Sequence, residues 1–158
     1  SYFRQMAEED CDVVVMEASS QGFKLDRTAG ILFDYGLFTN LSPDHIGPNE
    51  HKDFAEYLSC KAKLFQQCKY GYANLDDEHF AEITKNATCQ IETFGLNEKA
   101  DLVAYDVALT RDRDFLGVDF DLKGTYEGRI SCMKKCSQNS VRFVKVHMWR
   151  HLALEQKR

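Results

Sequence analysis

The sequence predicts an α/β fold, a mostly parallel sheet with flanking helices followed by a small β-rich appendage. Three observations carry this. Val13-Val14-Val15-Met16 is an unbroken apolar run of strand character, and Ile31 to Leu41 supplies a second; such runs suit strands buried on both faces of a parallel sheet. Lys52 to Gln67 then places Phe54, Tyr57, Leu58, Lys61, Leu64 and Phe65 at three- and four-residue spacing, the period of one helix face. Further on, Val118, Phe120 and Leu122 alternate with polar residues, as in a partly exposed antiparallel sheet.

In chain order, Tyr2 to Asp10 reads as the polar, acidic end of a helix, and Cys11 to Met16 as a buried strand. That strand is stopped by Glu17-Ala18-Ser19-Ser20-Gln21-Gly22. The second strand, Ile31 to Leu41, runs through Thr39-Asn40-Leu41-Ser42-Pro43 into Asp44-His45 and the Gly47-Pro48 turn. After the Lys52–Gln67 helix, Tyr70 to Leu75 is a third strand, Asp77 to Lys85 a helix and Gln90 to Phe94 a fourth strand ending at Gly95. Leu102 to Thr110, Phe115 to Leu122 and Thr125 to Ile130 form the β-rich appendage. Residues 1–130 are thus one unit. Residues 131–158 form an atypical tail without turn glycines or a clean apolar face, in which Val141 to Trp149 reads as a strand and Trp149 to Lys157 as a short basic helix.

Composition narrows the function classes. The chain has 158 residues, 44% hydrophobic, enough for a real core. Its net charge is −5 and it has no basic stripe, which argues against a nucleic-acid partner. No apolar run approaches the ~20 residues of a membrane span. The six cysteines are scattered through strand-like and helix-like segments, so they read as reduced thiols of a cytoplasmic protein rather than a disulfide framework.

Several residues stand where chemistry is done in α/β proteins, at the carboxyl ends of strands. Glu17 follows an apolar run, as a carboxylate that binds Mg2+ or as a helix cap. His45 is a metal ligand, an acid–base group or a cap; Asp44 and His51 are further candidates or turn residues. Lys61 lies on the apolar face of its helix, where it either snorkels or, desolvated, becomes a neutral amine able to react with CO2. Ser19-Ser20-Gln21-Gly22 with Arg27 forms either a polar ligand site or a turn and a surface arginine. Asp76-Asp77 reads as helix capping.

The ordered series is more specific than its parts. Met16-Glu17-Ala18-Ser19-Ser20-Gln21-Gly22, Arg27, Phe38-Thr39-Asn40-Leu41-Ser42-Pro43-Asp44-His45, His51 and Tyr57-Leu58-Ser59-Cys60-Lys61-Ala62-Lys63-Leu64-Phe65 closely resemble the P-loop-type central domain of the Mur ligases, from about Cys11 to Ile130. The spacing from Gly22 to Arg27 favours the tripeptide-synthetase branch over the D-glutamate-adding one. Folylpolyglutamate synthases share the fold but lack the Ser-Ser-Gln-Gly pattern. The resemblance implies a cytoplasmic bacterial ligase of peptidoglycan precursor synthesis that uses ATP and Mg2+. Its substrates would be a UDP-MurNAc-dipeptide and a diamino acid, meso-diaminopimelate or L-lysine. It further implies that Glu17 holds one Mg2+, that His45 and a carbamylated Lys61 hold a second, and that Ser19 and Arg27 contact the UDP-MurNAc-peptide, with Asn40 near the nucleotide. The family's Gly-x-x-Gly-Lys-Thr/Ser loop does not occur in the sequence. The expectation is therefore a partial ligase, inactive alone, with a divergent or frameshifted tail; a non-catalytic UDP-sugar-binding protein is the alternative from another class. Oligomeric state is not encoded legibly.

Overall fold

A computed structural model describes residues 2–43, 46–112, 115–135 and 143–149. The chain begins with helix α1 (Tyr2–Glu8) and, after an irregular segment, helix α2 (Ser20–Lys24). There follow β1 (Phe33–Phe38), α3 (Phe54–Ala62), a 3-10 turn (Lys63–Gln66), β2 (Cys68–Asn74), α4 (Phe80–Thr84) and β3 (Gln90–Gly95). Four long strands complete it: β4 (Leu102–Asp112), β5 (Phe115–Gly124), β6 (Gly128–Lys135) and β7 (Phe143–Trp149). All seven strands lie in one sheet in sequential order. β1 to β4 are parallel, and β4 to β7 antiparallel. The α/β class holds, and the β-rich part continues the same sheet rather than standing apart from it.

The joint between the two halves is short. β3 and β4 pair only at Phe94↔Leu102 and Gly95↔Val103. A fully overlapping parallel pair needs a crossover of a dozen or more residues; with so little overlap, the loop from 96 to 101 is enough. Side chains hold that loop. Asp76 accepts backbone hydrogen bonds from Leu96 (2.5 Å) and Asn97 (3.0 Å). The Asp101 carboxylate accepts from the Thr93 amide (2.8 Å) and hydroxyl (2.7 Å), bonds that lower its pKa.

The core lies on one face of the parallel strands. Phe38, Tyr57, Ala62, Phe65, Cys68, Ala73 and Ile83 pack together there, beneath α3, the 3-10 turn and α4. Two glycines make room. Gly36 and Gly71 are register partners on β1 and β2; Cys68 and Leu64 pack over Gly36, and Ile91 and the fully buried Phe65 over Gly71. A Cβ on Gly71 would lie 2.5 Å from Ile91 Cδ1 and 2.7 Å from Phe65 Cδ1. Gly71→Val is therefore expected to destabilise the fold by about 1–3 kcal/mol through overpacking, read as a lower urea midpoint at unchanged m-value. Cys68 sits 3.5 Å from Cys89, Sγ to Sγ; burial, then the hydrogen bond to Cys89, push its thiol up to about 12. An unreactive, protonated thiol results.

Two expectations need correction. Cys11 to Met16 is not a strand: the segment is irregular, with Val13 79% and Val15 94% exposed. β-branched residues suit a strand only where a neighbour completes the ladder, and no described strand pairs with this segment. The second run is a strand over Phe33–Phe38 only, and is not buried on both faces. Gly36 and Phe38 face the helices, whereas Tyr35 and Leu37 are exposed on the opposite face, where Tyr35 stacks on Tyr70 with ring centroids 5.9 Å apart. In the tail, β6 extends through Lys135 and β7 lies within the expected Val141–Trp149 strand. The expected helix at 149–157 falls almost entirely outside the described residues.

Candidate active site

The site is built where α2 meets α3. Glu17 lies exposed in the irregular segment before α2. Ser19 has the extended backbone of an N-cap, and its Oγ accepts a hydrogen bond from the Gly22 amide at 3.1 Å, an interaction that satisfies one free amide of the first turn. Past the helix, the Arg27 amide donates to Gly22 O at 2.9 Å and the residue is exposed. Thr28 is buried and donates to Gln67 Oε1 at 2.9 Å. Ser19 and Arg27 therefore stand at opposite ends of one short, anchored element.

α3 forms because Asp53 caps it, accepting from the Glu56 amide at 2.8 Å, and because Tyr57 and Cys60 turn inward. Lys61 is one turn beyond Tyr57 and half-buried, its Nζ 5.9 Å from the Tyr57 ring centroid. Lys24, Lys63 and Lys69 each meet a carboxylate; among the described residues Lys61 has no such ion pair. Asp44 and His45 lie outside the described residues. Asn40 is exposed just beyond β1, its Nδ2 3.4 Å from Thr39 Oγ1.

Cations tie the two helices together. Lys24 Nζ donates to Glu50 O (2.7 Å) and to Glu56 Oε2 (2.9 Å), and Lys63 Nζ donates to Phe23 O (3.0 Å). The Lys24 hydrogen bond, then that of the Lys52 amide, lower the Glu56 pKa from 4.5 to about 2. A depressed carboxylate pKa stabilises the folded state above the unfolded value, and that contribution is lost as pH falls from about 4.5 toward 2. The α2–α3 junction should therefore loosen over that window, seen as faster proteolysis, and Glu56→Gln should flatten the dependence.

Asp76 and Asp77 serve the frame. Asp77 accepts from the Leu41 amide at 2.8 Å and the His79 amide at 2.9 Å, so it holds the exit of β1 to the start of α4. Between the carboxyl ends of β1 to β3, on the helix-free face, lies an apolar groove of about 280 Å3 that includes Leu37, Tyr72, Phe94 and Leu102.

Sequence reasoning left His51 open between a site candidate and a turn residue; in the structure it closes the Gly47 turn with its side chain turned inward. It is fully buried, with Nε2 2.9 Å from Ser20 Oγ. The signal available was its place six residues before Tyr57, the first buried residue of the Lys61 helix. Nothing in spacing alone showed that the loop folds inward there.

Donor chemistry fits Mg2+ at Glu17, whose exposed carboxylate supplies the hard oxygen that this ion takes. Lys61 fits only as a carbamate, because an ammonium group donates hydrogen bonds and offers no lone pair. Among the described residues, no cluster of three or more His, Cys, Asp and Glu side chains gathers. No described helix is long and apolar enough to cross a membrane.

A family model of the Mur ligase middle domain matches residues 1–132. The chain belongs to the Mur ligase family. Its relatives include "UDP-N-acetylmuramoyl-L-alanyl-D-glutamate--2,6-diaminopimelate ligase 1" of Clostridium acetobutylicum, 40% identical over 120 residues, which are 76% of this chain and 24% of the relative. "UDP-N-acetylmuramyl-tripeptide synthetase" of Latilactobacillus sakei is 38% identical over 112 residues, 71% of this chain and 22% of the relative. The same enzyme of Lactococcus lactis is 49% identical over 70 residues, 44% of this chain and 14% of the relative. The chain thus spans about a quarter of the length of the first two.

Proposed function

We propose that this chain forms part of an ATP- and Mg2+-dependent amide ligase of the bacterial cytoplasm. The ligase joins a diamino acid, meso-diaminopimelate or L-lysine, to UDP-MurNAc-L-Ala-D-Glu. The observation that carries this reading is the joining of α2, flanked by Ser19 and Arg27, to α3, bearing Lys61, within the segment matched to the family. The names of the relatives supply the substrate class.

In this reading Arg27, past the end of α2, meets an anionic group of the UDP-MurNAc-peptide with its guanidinium fork, and Ser19, the cap of the same helix, adds a hydroxyl. Glu17, His45 and Lys61 as a carbamate would hold Mg2+, and Asn40 lies toward the nucleotide. Bound Mg2+ supplies charge neutralisation for a phosphoryl donor meeting a carboxylate. The 158 residues contain no Gly-x-x-Gly-Lys-Thr/Ser loop, so the reading puts triphosphate binding outside them and expects no turnover by this chain alone.

A titration with UDP-MurNAc-L-Ala-D-Glu, with and without Mg2+ and ATP, tests this. Binding that weakens in Arg27→Ala by about tenfold or more, the loss of a charge-assisted hydrogen bond, is expected. Phosphate release from ATP by this chain alone would contradict the reading.

A further inference from the structure

We propose that His51 is a positioning residue for the ligase reaction, holding the substrate-contacting helix α2 against the helix that carries Lys61. The proposal rests on the functional reading above. His51 follows a loop in which Ile46, Pro48, Asn49 and Glu50 are exposed, yet its own side chain is 0% exposed. The loop is folded to put it there: Gly47 N–H donates to His51 O at 3.0 Å, and Ile46 bridges to His51.

Inside, the imidazole meets two helices, α2 and α3. Its Nε2 lies 2.9 Å from Ser20 Oγ, itself 3% exposed and the residue next to Ser19. Its ring centroid is 5.2 Å from that of Tyr57, the ring over which Lys61 Nζ lies. Its Nδ1 is 3.6 Å from Glu56 Oε2, the oxygen that also receives Lys24 of α2 and the Lys52 amide. Among the described residues Nδ1 has no hydrogen-bond partner, and the Ser20 contact is the hydrogen bond that orients the ring. A hydrogen bond between two buried groups has no water to replace it, and removing either partner strands the other.

The consequence is directional. The fixed bond runs to α2, so its loss should displace Ser19 and Arg27 relative to Lys61 and weaken productive binding of the UDP-MurNAc-peptide. It leaves the diamino acid, which meets neither residue in this reading, little affected. His51 touches no reacting atom in this scheme.

The test uses a complete ligase carrying this segment, with His51→Phe, His51→Gln, Ser20→Ala and the double change His51→Phe/Ser20→Ala. His51→Phe keeps a ring against Tyr57 and deletes the bond; Gln restores an amide of similar reach. Expected are a rise of about tenfold in KM for UDP-MurNAc-L-Ala-D-Glu in His51→Phe and in Ser20→Ala, and no further rise in the double variant. KM for the diamino acid should hold, and His51→Gln should recover much of the loss. Hydrogen exchange at the Phe23 and Leu25 amides should quicken in the same variants. Unchanged exchange at α2 would overturn the proposal, as would faster exchange with unchanged KM, which marks a purely structural contact. Should His51→Phe fail to fold, Ser20→Ala alone decides by the same readouts. A wild-type enzyme inert toward the dipeptide would overturn the functional reading, while the exchange arm still judges the lock.

Discussion

Lys61→Ala in a complete ligase carrying this segment is expected to lower kcat by about a thousandfold or more, roughly 4 kcal/mol of barrier. Short carboxylates such as acetate should restore part of the activity. The argument starts from what lysine is. As an ammonium it can neither ligate Mg2+ nor stand near one without repulsion. As a neutral amine it adds to CO2, its nitrogen lone pair forming the C–N bond while a proton leaves to solvent. The product is a carbamate, a two-oxygen anion at the end of a long stem. The geometry leaves the group free to react: Nζ lies 5.9 Å from the Tyr57 ring centroid and, among the described residues, has no carboxylate partner. Its neighbours Lys24 and Lys63 do have such partners. Wild-type activity in Lys61→Ala would remove this residue from the mechanism, and loss without carboxylate rescue would remove the carbamate.

Glu17→Gln carries the second large expectation, a fall in kcat of about a hundredfold or more. The amide keeps the shape of the side chain and discards its charge, so the change isolates electrostatics. Glu17 is exposed immediately before α2, and so is available to an ion. Glu17→Gln should also need a higher Mg2+ concentration for half-maximal rate, whereas thermal stability should change little, because surface substitutions usually stay within about 0.5 kcal/mol. A Mg2+ dependence identical to that of the unmodified enzyme would exclude Glu17 as a ligand.

The legibility of this chain followed from how local each signal is. α3 was readable because Phe54, Tyr57, Leu58 and Lys61 recur at helical spacing within a few residues of one another. β2 and β3 were readable for the same reason, short apolar runs closed by Asp76 and Gly95. Val13–Met16 misled because its composition reports what a strand would accept and not whether a neighbour is there to pair with it. β1 misled in part: its alternation is masked by Tyr35 and Leu37, large apolar residues on the face without helices. The continuity of the antiparallel strands with the parallel ones turns on the pairing of Phe94 and Gly95 with Leu102 and Val103, a register that no residue pattern encodes. The candidate site was visible as an ordered series, Glu17, Ser19, Arg27 and Lys61. What holds it together, Ser20 with His51 and Lys24 with Glu56, spans about thirty residues of sequence and lies beyond any local rule.

The central claim is that these residues serve the third peptide addition to UDP-MurNAc. It is tested most directly by mass analysis of the product that a complete ligase carrying this segment makes from UDP-MurNAc-L-Ala-D-Glu, ATP and Mg2+, with meso-diaminopimelate and L-lysine in competition. The account predicts a UDP-MurNAc-tripeptide carrying one of the two diamino acids, with one phosphate released per amide formed. No tripeptide here but growth of UDP-MurNAc-L-Ala in a parallel reaction that offers it with D-glutamate, or tight binding of the UDP-sugar with no amide formed, would contradict it.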